Sequence, residues 1–173
     1  DFFDRVYVKG RRTRMGVELS YTPGPLGFGA EWMQAREQRR NQGLGDIDLS
    51  DLITTGWYIG GTWLVTGEEK ADFNNPNESL FAGGFGAVEL GVRYDKLQFE
   101  SAEKIGTPFR NPRAEHIFEN SDSVWAISAS WYLNRWVRAT VNAIHEKIDD
   151  AARTPIPGTT NFWSGLARLQ VVF

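Results

Sequence analysis

The end of the chain alternates strictly between apolar and polar residues and predicts a β-strand. In residues 161–173, read as NFWSGLARLQVVF, one face collects Trp163, Ala167, Leu169, Val171 and Phe173, and the other Ser164, Arg168 and Gln170. Successive side chains of a strand point to opposite sides, so this strand has one apolar and one polar face. Such alternation is typical of transmembrane β-barrels, where lipid-facing and lumen-facing residues alternate. An amphipathic strand in a soluble sheet is the alternative.

The same period of two recurs along the chain and predicts an antiparallel, all-β protein. The predicted strands lie at 2–9, 13–21, 26–34, 52–65, 85–99, 123–133, 136–147 and 161–173. Residues 35–40 include good helix formers, but the Gly-Phe-Gly spacing before them favours a strand that runs into a loop. The alternation slips near Asp95, which predicts a β-bulge there.

The connections between these strands differ in length in a regular way. Short turns are predicted at 22–25 and 134–135, and longer loops at 39–51, 100–122 and 148–161. With the C-terminus at the periplasmic side, the short turns are periplasmic and the long loops external, as outer-membrane barrels require. The stretch 66–84 is an exception, because it is long but periplasmic by count.

Tryptophans support a membrane-spanning band. Trp57 and Trp63 are six residues apart on one strand face, and so are Trp125 and Trp131. Six residues of tilted strand cover roughly 15 Å of depth. Each pair therefore predicts one indole near each edge of an apolar band, as in aromatic girdles. Buried core tryptophans of a β-sandwich are the alternative.

Composition narrows the class of protein. The 173 residues fit one domain, 1–173, and contain no apolar run of the length that a transmembrane helix needs. The absence of cysteine excludes disulfides, zinc–thiolate sites and cysteine nucleophiles. A net charge of −3 gives no indication of a nucleic-acid partner. The chain begins at Asp1 without a signal-peptide pattern, so we expect a mature chain or one lacking an N-terminal portion.

Motifs for catalysis are lacking in the sequence. His116 and His145 are not spaced as a metal-binding pair, and no nucleophile elbow or phosphate-binding glycine loop occurs. We therefore predict neither an enzyme nor a bound cofactor or metal.

Charged residues at the inward positions of the strands are the candidate pore lining. They are Arg14, Glu18, Glu31, Glu89, Arg93, Arg138 and Arg168. Four arginines and three glutamates nearly balance, so pairing across neighbouring strands is one expected role and contact with passing ions the other. Arg93 and Arg168 are the first choices for ion contact, because both are predicted in mid-strand.

Basic residues of the long loop 100–122 are candidates for the mouth of the pore. Lys104, Arg110 and Arg113 would attract anions there. Ordinary solvated surface charge is the alternative for all three.

Several blocks resemble the phosphate-selective porin family, of the porin O and P type, in Gram-negative outer membranes. They are residues 24–32, 56–70 (GWYIGGTWLVTGEEK), 86–94 (GAVELGVRY), 130–142 (SWYLNRWVRATVN) and 168–173 (RLQVVF). Their order and spacing match the C-terminal half of a family member and cover nearly the whole chain. The resemblance implies a sixteen-stranded barrel in outer-membrane lipid, usually trimeric, through which phosphate and other small anions diffuse. The family's constriction loop lies mostly in the N-terminal half, so no phosphate-site residue is carried over.

The expected fold is thus a transmembrane antiparallel β-barrel, with about eight strands here as half of a sixteen-stranded barrel. The expected function is passive anion diffusion. An alternative is a closed eight-stranded barrel filled by side chains, acting as an anchor, an adhesin or a scaffold subunit of a larger outer-membrane assembly. A soluble eight-stranded ligand carrier is a third interpretation, and it predicts extraction without detergent.

Overall fold

The computed structural model describes residues 7–70, 75–101 and 119–172. These residues form one seven-stranded sheet in which chain order is also spatial order, and every neighbouring pair is antiparallel. The strands are β1 (Arg12–Tyr21), β2 (Leu26–Arg39), β3 (Leu49–Leu64), β4 (Ala87–Ser101), β5 (Asn120–Tyr132), β6 (Val137–Ile148) and β7 (Asn161–Val171). The prediction of an all-β antiparallel fold is confirmed.

Helical structure is confined to three short 3₁₀ turns in the described connections. They are Leu44–Asp46, Leu80–Ala82 and Ala151–Arg153. None of the helices in the described part of the chain is long and apolar enough to cross a membrane.

The preference for a strand over a helix in residues 35–40 is confirmed, and the strand runs further than the predicted end at residue 34. β2 continues to Arg39 and pairs with β1 on one side and β3 on the other. With a neighbour on each side, the backbone groups of this stretch are satisfied as a strand, and this outweighs the helix propensity of its residues.

The predicted bulge at Asp95 is wrong. β4 pairs with β3 and β5 without a register shift through Asp95, and among the described strand pairings the register shifts only between Glu37 and Arg39. The alternation of hydrophobicity changes after Asp95 for another reason. Lys96 keeps its place on the face of the apolar residues, opposite Trp57 on β3, but on its β5 side the row continues through the polar residues Ser123 and Lys147.

The registers divide the side chains of the sheet into two faces. Residues directly opposite each other on antiparallel strands point to the same side. One side, the apolar face, has in its middle row Tyr21, Phe28, Gly61, Val92, Ile127, Ala143 and Gly165. The other side, the polar face, has in its middle row Glu18, Glu31, Tyr58, Asp95, Val124, Glu146 and Phe162.

The two ends of the sheet differ in their connections. The short-turn end carries residues 22–25, 133–136 and the longer connection 65–86. The long-loop end carries residues 40–48 and 149–160, and β4 ends and β5 begins at this end, at Ser101 and Asn120. The predicted alternation of turn lengths therefore holds, with 65–86 as the expected exception.

Aromatic side chains mark both ends of the apolar face. Towards the long-loop end, the ring of Tyr94 lies 5.2 Å from Trp57 and 4.8 Å from Trp125, measured between centroids. At the short-turn end, the rings of Phe85 and Trp131 are 5.7 Å apart. The members of the predicted tryptophan pairs thus stand at opposite ends of one face.

Few side chains are buried, and most of the large apolar side chains are not among the buried ones. Val8 packs on Leu52 and Phe99 at the long-loop end of the polar face. On the apolar face, Leu169 and Trp163 are both 70% exposed. An apolar surface of this extent is typical of a site covered by lipid or protein rather than by water.

The strands β1 and β7 are the edges of the described sheet. Each pairs with a single described neighbour, and they do not pair with each other. Long edges of this kind leave backbone groups available to further strands. The strand predicted at 2–9 lies largely outside the described residues, but Lys9 forms a parallel bridge with Arg39.

Gly86 is a position at which the fold requires glycine, and we predict that Gly86→Ala destabilises the sheet. Its φ is +82°, and an added Cβ would lie 2.4 Å from the carbonyl oxygen of Tyr132. Backbone strain of about 1–3 kcal/mol would combine with this clash, so we expect the free energy of unfolding to fall by at least about 2 kcal/mol. Urea unfolding in lipid vesicles, followed by tryptophan fluorescence, measures the change.

The control for Gly86 is Gly158→Ala. Gly158 has a φ of +78°, but no atom lies within 4 Å of the added Cβ. It should lose only the strain energy, about 1 kcal/mol. Equal losses in the two variants would contradict a steric requirement at Gly86.

Candidate pore wall

The seven charged residues predicted to point inward share the polar face. This set is Arg14, Glu18, Glu31, Glu89, Arg93, Arg138 and Arg168. The mouth candidates Lys104, Arg110 and Arg113 lie outside the described residues, as does His116. The alternation of side chains along each strand was therefore sufficient to assign these seven residues to one face of the sheet.

Pairing among these seven residues is not what the structure shows. Within the described ranges, no ion pair joins one of them to another. Glu89 pairs with Lys70, and Arg93 pairs with Asp95 on its own strand. Two of the seven charges, those of Glu89 and Arg93, are thus compensated by residues outside the set.

Arg93 is held by two neighbours. Its Nε lies 2.9 Å from both carboxylate oxygens of Asp95, and one terminal nitrogen lies 2.5 Å from Oδ1. The guanidinium carbon also lies 3.7 Å from the centroid of the Tyr58 ring. These contacts occupy donors and a flat face that an ion in the lumen would otherwise use.

Arg168 has a different environment. It is exposed on β7 and, in the described part of the chain, makes no ion pair. Arg168 lies in the same row as Glu89. This row crosses the sheet from Glu89 through Ser130 and Thr140 to Arg168. Of the two first choices for ion contact, Arg168 is the one whose charge is not compensated by a described neighbour.

A chain of polar contacts crosses the polar face at the short-turn end. The Tyr132 hydroxyl donates to Glu89 Oε2 at 2.7 Å, and Arg138 donates to the same hydroxyl at 3.3 Å. Arg138 also donates to Gln170 Oε1 at 2.7 Å. Together with the ion pair from Lys70 to Glu89, this chain joins the β3–β4 connection to β4, β5, β6 and β7.

Lys70 is a member of this chain that strand parity does not identify. It belongs to the connection 65–86, where there is no alternation to assign a face. Its backbone N–H donates to the Gly24 carbonyl at 2.6 Å, so the connection folds back onto the β1–β2 turn. The unexpected length of this connection is the sequence signal that it does more than reverse the chain.

The charges of the polar face are separated along the strands. Midway along the sheet, Glu18, Glu31, Asp95 and Glu146 share one row, and Asp122 lies in a row nearer the long-loop end; we call these five residues the acidic belt. At the short-turn end, Glu89 stands among a basic cluster of Lys70, Arg138 and Arg168.

A groove of about 450 Å³ lies on the polar face between the acidic belt and the basic cluster. The groove is shallow because its lining is rich in small residues. Both Lys70 and Arg93 border it. The small lining residues are Gly27, Gly29, Gly60, Gly91 and Ser128. A Cβ added at Gly91 would come within 2.5 Å of Ser128 Oγ, so larger residues would fill this space.

The described residues contain no group of three or more His, Cys, Asp and Glu side chains placed to bind a metal ion. The polar face presents charged and hydroxyl groups, and such groups act on ions through their field and their hydrogen bonds.

A sheet with one exposed apolar face and one charged face has the pattern of a porin wall. The family model described as phosphate-selective porin O and P matches residues 4–173. The chain belongs to the phosphate-selective porin O and P family, as the sequence resemblance predicted. A comparison with curated proteins finds no match. Membership of this family points to a channel rather than to an enzyme.

We predict that Tyr132→Phe destabilises the protein, because its hydroxyl joins Glu89 to Arg138. Glu89 is only 8% exposed and would lose a donor, at a cost of about 1–3 kcal/mol. Urea unfolding in lipid vesicles measures this loss. Tyr21→Phe is the control, since Tyr21 is 64% exposed on the apolar face. A similar change in both variants would contradict a role for the polar chain.

Proposed function

We propose that this chain forms part of the wall of a water-filled outer-membrane β-barrel through which small anions of the phosphate type diffuse passively. The observation that carries the proposal is the family match over residues 4–173 in a sheet with opposed apolar and charged faces. The apolar face contacts lipid and the polar face lines the lumen. No cofactor takes part, because the solute moves down its own gradient.

The barrel closes by pairing of the edges β1 and β7 with strands other than the seven described. Unpaired backbone groups are not tolerated in the hydrocarbon region, so both edges need hydrogen-bond partners there. Sixteen strands and a homotrimer are what the family resemblance implies. The short-turn end is periplasmic and the long-loop end external, in agreement with the usual asymmetry of outer-membrane barrels.

In this part of the wall, the basic cluster is the main source of selectivity for anions. The acidic belt repels anions, and Arg93 is neutralised by Asp95. Arg168 and Arg138 then provide positive charge near the periplasmic mouth, where wall charges set the field that an ion meets. Lys104, Arg110 and Arg113 remain our candidates for attraction at the external mouth. The closed eight-stranded anchor or adhesin is not favoured by membership of a porin family.

Conductance in a planar bilayer tests this function. The natural protein, purified in detergent, is reconstituted and its reversal potential is measured across a potassium chloride gradient, before and after addition of phosphate. We expect discrete conductance steps with anion preference and partial block by phosphate. A folded protein that never conducts, or one that prefers cations, would overturn the proposal.

We predict that Arg168→Gln weakens block by phosphate more than Arg93→Gln does. In the described part of the chain the Arg168 guanidinium has no ion pair and can donate to an anion, whereas that of Arg93 is engaged by Asp95. The half-blocking phosphate concentration should rise roughly threefold for Arg168→Gln, the scale of one unit charge a few ångströms from an ion in water. It should rise less than about twofold for Arg93→Gln. The reverse order would contradict this assignment.

A charge on the apolar face tests its exposure to lipid. Ile127 is 56% exposed in the middle of the apolar face, and Ala126 is its neighbour on the polar face. We expect Ile127→Arg to lower the unfolding free energy in vesicles by about 2–4 kcal/mol, the cost of arginine near the bilayer midplane. Ala126→Arg, which faces the lumen, should cost far less. Equal costs would contradict the assignment of the two faces.

A further inference from the structure

We propose that Glu89 acts as an internal counter-anion, which competes with a passing oxyanion for Lys70 and for the Tyr132 hydroxyl. The inference rests on the proposed function, because it concerns the periplasmic mouth of the same lumen. Glu89 then has a specificity-determining role. Lys70, which belongs to a connection rather than to a strand, is an anion-binding group.

The contacts of Glu89 are those that a bound oxyanion would make. One carboxylate oxygen pairs with Lys70 Nζ, and the other accepts the Tyr132 hydroxyl at 2.7 Å. Arg138 donates to that hydroxyl from the far side. A carboxylate held by an ammonium group and a hydroxyl has the same hydrogen-bonding needs as a phosphate oxygen.

Two cations are linked to Glu89 through side-chain contacts. Lys70 pairs with it directly, and Arg138 is linked to it through the Tyr132 hydroxyl. Arg168 lies in the same row but three strands away, and Glu68 and Glu69 precede Lys70 in its connection. An oxyanion that displaced Glu89 would therefore find donors already oriented by Lys70 and Tyr132, rather than a general excess of positive charge.

The backbone holds Lys70 in place independently of its ion pair. Its N–H donates to the Gly24 carbonyl, and Leu64 N–H donates to Pro25 at 2.9 Å, so both ends of this part of the connection are tied to the β1–β2 turn. The lack of a side chain at Gly27 leaves room, since an added Cβ would lie 3.4 Å from Lys70 Cε. Lys70 can therefore exchange its anion without losing its position.

The side chain of Lys70 is also open to the groove. Lys70 borders the groove of about 450 Å³, so an ion in the lumen reaches its ammonium group without crossing a packed layer. No covalent step occurs: Lys70 and Tyr132 transfer their hydrogen bonds from Glu89 to the oxyanion, and return them when it leaves.

Phosphate block of single channels tests the inference. Glu89→Gln keeps the shape of the side chain but removes its charge, and we expect the half-blocking phosphate concentration to fall roughly fivefold, the scale of one unit charge at contact distance in water. Glu18→Gln is the matched control, because it removes a carboxylate from the acidic belt that has no ion pair in the described ranges. It should change block less than about twofold.

The variant Lys70→Met distinguishes competition between Glu89 and phosphate for Lys70 from a general effect of the Glu89 charge. If Glu89 acts through Lys70, Glu89→Gln introduced together with Lys70→Met should shift the block less than about twofold. If Glu89 acts only through its overall field, the shift should stay the same in both backgrounds. An undiminished shift, or no shift in Glu89→Gln alone, would overturn the inference.

The inference and the proposed function fail in different ways. A natural protein that does not conduct, or that prefers cations, refutes the proposed function. A natural protein that conducts anions, with a folded Glu89→Gln variant of unchanged block, refutes only the role of Glu89. Tryptophan fluorescence of each variant in the same lipid checks that it is folded.

Discussion

The unbroken antiparallel hydrogen-bonding from β1 to β7 is the constraint on which the rest of the structure depends. The backbone N–H and C=O groups of each strand need hydrogen-bond partners, and a neighbouring strand on each side provides them. This need keeps residues 35–39 in β2 despite their helix propensity, and it carries β4 through Asp95 without a bulge. It also leaves β1 and β7 as edges to be paired. Because the register is continuous, a position on one strand defines a row across the sheet.

Those rows organise the charges of the polar face. The acidic belt and the basic cluster arise from rows on the same face, and neither could form if one strand slipped by a residue, since a slip reverses the face of every side chain. Within the rows, local contacts decide which charges act on an ion. Arg93 is tied to Asp95 and stacked near Tyr58, whereas Arg168 has no ion pair in the described ranges. Two arginines of equal parity therefore have unequal expected roles.

The connection 65–86 is more than a turn between β3 and β4. Its described part returns to the β1–β2 turn through Lys70 and to β5 through Phe85, whose carbonyl accepts from Trp131 at 2.8 Å. Pro76 is fully buried in it, and Ser79 donates to the Leu133 carbonyl at 3.3 Å. A connection tied at several points can present a side chain to the lumen with a fixed geometry. Its length at the end with otherwise short turns thus has a physical explanation.

The sequence by itself determined the seven described strands, the common face of the seven charged candidates and the placement of tryptophans at both ends of the apolar face. These features follow from a period of two, which is local and needs no knowledge of neighbouring strands. The tertiary structure alone decided which residues contact Glu89, Arg93 and Arg138. It alone also decided that Lys70 reaches Glu89 and that β2 continues to Arg39. These outcomes depend on inter-strand register and on how a connection folds back, because contacts across strands join residues that no local pattern relates.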